Sequence, residues 1–68
     1  MTLDELIDRR NEVQLKAEDT PHAASCWTRL GVASRHIERC ATGMPLSPGV
    51  EREIIRCIND AAEWLESL

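Results

Sequence analysis

Two histidine–cysteine pairs hold most of the chemistry this sequence could offer. His22-Ala-Ala-Ser-Cys26 and His36-Ile-Glu-Arg-Cys40 each set an imidazole and a thiol one helical turn apart, close enough to share a metal ion. The two pairs are fourteen residues apart in sequence, which is roughly 21 Å along a helix axis, so one chain cannot bring both to a single ion. A structural zinc site needs four ligands in a closed tetrahedron. Here that would require a second copy of the chain or help from Cys57. A helical hairpin turning near Pro45 puts Cys57 opposite Ala33 instead. Cys26 and Cys40 also fall on an apolar helical stripe, where free cysteine behaves as a small hydrophobe. No metal and no cofactor are expected.

The same residues make a poor catalytic set. A nucleophilic cysteine needs an accessible thiolate, a base oriented by a third group, and a pocket. Inward-facing thiols on slender helices provide none of these. There is no glycine-rich phosphate loop, no HExxH, and no carboxylate pair with a frame to hold it. The expected class is not an enzyme.

The element that positions these residues runs from Thr20 to Thr42. Ala23, Cys26, Leu30, Ala33, Ile37 and Cys40 recur at alternating spacings of three and four, which a helix turns into one stripe. Thr20 can cap it, Pro21 suits the first helical position, and Gly43 offers a left-handed stop. A helix over 21–42 is predicted. Gly31 lies inside it, either admitting a close neighbour or merely tolerated.

Thr2-Leu3-Asp4-Glu5 fits a capping box, so another helix is predicted over 3–18. Its stripe is Leu3, Leu6, Ile7, Val13 and Ala17. Arg10 interrupts that stripe, and Leu15 lies well off it. Arg10 either lays its methylenes on the core or meets a partner carboxylate. A third helix, over 48–67, starts at Ser47-Pro48, with Leu46 placed to staple its first turn. The short connection makes the second and third helices antiparallel neighbours. In that register Trp64 should lie beside Trp27, so that the chain's two tryptophans clasp the end remote from the connection.

The third helix speaks most directly to partners. Val50, Ile54, Cys57, Ala61, Trp64 and Leu68 form one ridge, and Ile55, Ile58, Ala62 and Leu65 widen it. The apolar arc covers roughly half the cylinder, more than one neighbour needs. The surplus falls to the first helix, to another copy, or to a client. Ile54, Ile55, Ile58, Ala62, Trp64 and Leu65 are therefore the expected partner-binding residues.

Composition sets the outer bounds. Sixty-eight residues with a net charge of −4 and two aromatic side chains make one domain, 1–68, with a thin core. An acidic total disfavours phosphate binding, and nucleic acid is not expected. Charged residues crowd the first twenty positions, three cysteines form no CxxC, and nothing approaches a membrane span in length. A cytoplasmic protein with reduced thiols is expected.

The expected fold is all-α: helices two and three form an antiparallel hairpin with a shorter N-terminal helix packed across it. The expected function is a non-enzymatic protein–protein interaction module of adaptor, inhibitor or co-chaperone type, binding itself as a homo-oligomer or a client helix. The alternatives are a small dimeric DNA-binding regulator and a metal-binding dimer that uses the His/Cys pairs. In layout alone the chain is similar to short co-chaperones of type III secretion needle subunits and to small phage-encoded inhibitors. No motif residues carry that likeness, and no family is claimed.

Overall fold

The capping box at Thr2 forms as its residue types require. The Thr2 hydroxyl accepts the Glu5 N–H at 3.2 Å, and the Glu5 carboxylate accepts the Thr2 N–H at 3.0 Å. These bonds satisfy donors that a helix start leaves orphaned, and helix α1 runs Leu3–Glu18 from them. The computed structural model describes all residues 1–68 and contains three further helices: α2 Ala23–Arg29, α3 Gly31–Ala41 and α4 Pro48–Glu66. There is no strand.

The helix expected over 21–42 is thus two helices, with a later start and an internal break. Thr20 does not cap it. Its hydroxyl turns back to donate to the Ala17 carbonyl at 2.7 Å and accepts the His22 N–H at 3.1 Å. Thr20 therefore closes α1, and α2 begins only at Ala23, with no side-chain cap. The ladder then breaks at Leu30, whose φ of −82° and ψ of 3° lie in the bridge region rather than the helical one. Leu30 itself is fully buried. Gly31 is the first residue of α3, and a Cβ built on it would meet nothing within 4 Å. It admits no close neighbour.

The end of α3 follows the sequence closely. Gly43 has φ +120°, the Met44 N–H bonds the Arg39 carbonyl at 3.0 Å, and the Gly43 N–H bonds the Cys40 carbonyl at 3.3 Å. This pair of bonds is a Schellman motif. Ser47 then caps α4 by accepting the Val50 N–H at 3.3 Å, with Pro48 at the first helical position.

All four helices feed one core. Leu6, Val13 and Ala17 come from α1, Cys26 from α2, Ala33 and Ile37 from α3, and Ile54, Ile58 and Ala61 from α4, with Leu30 at the break. No polar or charged residue is buried. Two contacts show how α4 meets the preceding helices: Cys57 reaches Ala33, and Glu53 reaches His36. The placement of Cys57 opposite Ala33 agrees with a turn near Pro45. No helix is long and apolar enough to cross a membrane.

Candidate interaction surface

The residues expected to bind a partner divide into two groups. Ile54 and Ile58 are interior, because α1 and α3 close over the central ridge of α4. Ile55, Ala62, Trp64 and Leu65 are half-buried and pack against the edge of the core. Much of the surplus arc on α4 is therefore taken up within the chain.

The tryptophans do not meet. Trp64 receives the His22 ring edge-on, with centroids 6.1 Å apart, and the Arg29 guanidinium lies 4.3 Å from its ring centre. Trp27 is 46% exposed and instead carries the Arg10 guanidinium at 5.2 Å. Trp27 turns to α1, where Arg10 lies, and Trp64 to His22 and Arg29. Arg10 also donates to Asn11 Oδ1, at 3.3 and 3.1 Å, and to the Ser34 hydroxyl at 3.5 Å. It spans α1, α2 and α3 rather than waiting for a carboxylate.

The two histidines have neighbours other than the cysteines one turn away. His22 faces Trp64, and His36 Nε2 lies 2.7 Å from Glu53. Cys26 is buried in the core. Burial, reinforced by the Glu18 charge, pushes its thiol pKa up, which favours the unreactive protonated form. No cluster of three or more His, Cys, Asp or Glu side chains suited to a metal is present.

A groove of about 440 Å³ opens where the α2–α3 junction faces α4. Val32, Cys57 and Ala61 supply its apolar lining; Arg29 and Arg56 bring positive charge, Glu53 and Asp60 negative. The two signs are balanced in the lining, two arginines against two carboxylates.

On α2 and α3 two large apolar residues are exposed, Trp27 and Val32, the second of which also lines the groove. Arg35 and Arg39 are exposed with no carboxylate within 4 Å, because the ion pairs are confined to Met1–Glu51 and His36–Glu53. Leu15 on α1 is 67% exposed. The partner-binding set drawn from α4 omitted these residues. Leu15 and Val32 did carry a signal, since both are apolar residues standing off the periodic stripe of their helix. Compared with protein-family models, with curated proteins and with solved structures, the chain matches none.

Proposed function

We propose that this chain is a non-enzymatic interaction module that pairs with a second copy of itself through the outer face of α2 and α3. The observation that carries the reading is the exposure of Trp27 on α2 and of Val32, Arg35 and Arg39 on α3, the two arginines without a carboxylate partner. Tryptophan and arginine are the residues most enriched among interface anchors. A second copy offers complementary charge. Its α1 holds Asp4, Glu5, Asp8, Glu12 and Glu18 against Arg9, Arg10 and Lys16, together with the exposed Leu15. A two-fold pairing would form each α1-to-α3 contact twice, as isologous interfaces do. Within each copy, α3 and α4 act as an antiparallel hairpin across which α1 packs, one helical domain over 1–68. The half-buried rim of α4, at Ile55, Ala62, Trp64 and Leu65, is a secondary surface available to a client helix.

Sedimentation equilibrium tests the reading. A dimer is expected at low salt, weakening as salt screens the pairing. The double variant Arg35→Glu, Arg39→Glu should be monomeric with unchanged helical circular dichroism. A wild-type chain that stays monomeric at high micromolar concentration and low salt overturns self-association.

A further inference from the structure

The break between α2 and α3 is bridged by a side chain from a third helix. In an unbroken helix the Ala33 N–H would bond the Arg29 carbonyl, since each N–H reaches back four residues. Across this junction Leu30 reaches Cys26 and Ser34 reaches Leu30, but the rungs from Gly31 to Trp27, from Val32 to Thr28 and from Ala33 to Arg29 are missing, and only the last is bridged. Both of its halves bond the same sulfur. The Ala33 N–H donates to Cys57 Sγ at 3.4 Å, and the Cys57 thiol donates to the Arg29 carbonyl at 3.2 Å. A thiol is both a weak donor and a weak acceptor, so one group bonds both the part-buried Ala33 N–H and the exposed Arg29 carbonyl. Insertion of a side chain into the ladder is a recognised cause of helix kinks.

We propose that the Cys57 thiol is the positioning group that holds the α2–α3 junction open, a removable rung inserted from α4. Two neighbouring features fit this role. Gly31, beside the missing rung, has a φ available to any residue and open space at its Cβ position, so glycine is not required by the geometry there. Cys57 also lines the groove beside the junction, so the junction faces open space rather than a rigid neighbour. The inserted sulfur sets the direction of α2, and with it the position of Trp27. This conclusion stands independently of self-association.

Nuclear magnetic resonance on the isotopically labelled full chain tests it. In the wild type, the Ala33 amide should show a nuclear Overhauser contact to the Cys57 thiol proton and no through-hydrogen-bond coupling to the Arg29 carbonyl. In Cys57→Ala that coupling should appear, and the Leu30 Cα shift should move to a helical value. Cys57→Ser, which keeps a donor and an acceptor at the same place, should retain the wild-type pattern. A direct Arg29–Ala33 coupling in the wild type overturns the proposal, even if the alanine variant fails to fold. An alanine variant that folds with the break unchanged overturns it as well.

Discussion

Glu5 shows how far one side chain can be followed from sequence to measurement. Its carboxylate accepts the Thr2 backbone N–H, with a further bond from the Thr2 hydroxyl side, and these bonds hold its pKa below the usual carboxylate value. A carboxylate whose folded pKa is depressed contributes stability above its unfolded pKa and loses it as pH falls through the folded pKa. The stability difference between wild type and Glu5→Gln should therefore be present at neutral pH. It should fade as the solution is acidified below about 4, as urea titrations at a series of pH values would show. Cys26 has the opposite sign. Its raised thiol pKa contributes stability below the unfolded value of about 8.5, which is lost as pH rises through the folded value. Glu5 was legible as a capping residue because the capping box is local, confined to four consecutive residues. The burial of Cys26 also followed from the stripe. The partner of Trp27 did not, since it depends on where α1 lies.

At the scale of elements, chain punctuation decided most boundaries. Helices α1 and α4 start where their caps predicted, and the Gly43 stop forms with positive φ. The exception is the 21–42 segment, where a hydroxyl closing the previous helix and a thiol from α4 intervene. Gly31→Ala provides a test at this scale. With a permitted φ and nothing within 4 Å of the added Cβ, the substitution should stabilise the chain by about 0.4–1 kcal/mol, mainly by restricting the unfolded state. A rise in melting temperature checks this. The break should remain, because the sulfur rather than the glycine occupies the ladder. Gly43→Ala should do the reverse and lower the melting temperature, since a φ of +120° strains any L side chain.

For the whole molecule, the question is how a thin core of small and medium side chains is distributed. The ten buried residues include no aromatic, and the largest fully buried ones are Leu6, Leu30 and Ile54. Ile54 touches the region where α1 and α3 converge, so Ile54→Ala should cost about 2–5 kcal/mol. For a chain of this length, that is a large share of a total stability of a few to about ten kcal/mol. Ile55→Ala, at the half-buried edge, should cost distinctly less. Denaturant midpoints for the two variants measure the contrast. If the two costs are equal, α4 is not seated as described. Charge is segregated on the same scale: α1 and α4 carry more acid than base, and α2 with α3 the reverse. Within the chain this arrangement yields few direct ion pairs.

The sequence alone determined that the chain is helical, where α1 and α4 begin and α3 ends, which residues form the apolar stripes, and that Cys57 lies opposite Ala33. All but the last follow from short-range rules: a cap and its third residue, a glycine after the last turn, a repeat of three and four. The last follows from counting back from a turn near Pro45. The tertiary structure decided what those rules cannot reach. It placed Ile54 and Ile58 inside rather than at a binding face, because α1 packs over α4. It gave Trp27 to Arg10 and Trp64 to His22 and Arg29, partners that lie on other helices or before the helix start. It broke the central helix at Leu30, where a side chain distant in sequence replaces a backbone rung. A periodic pattern records which side of a helix is apolar, but not whether another helix will insert an atom into its ladder.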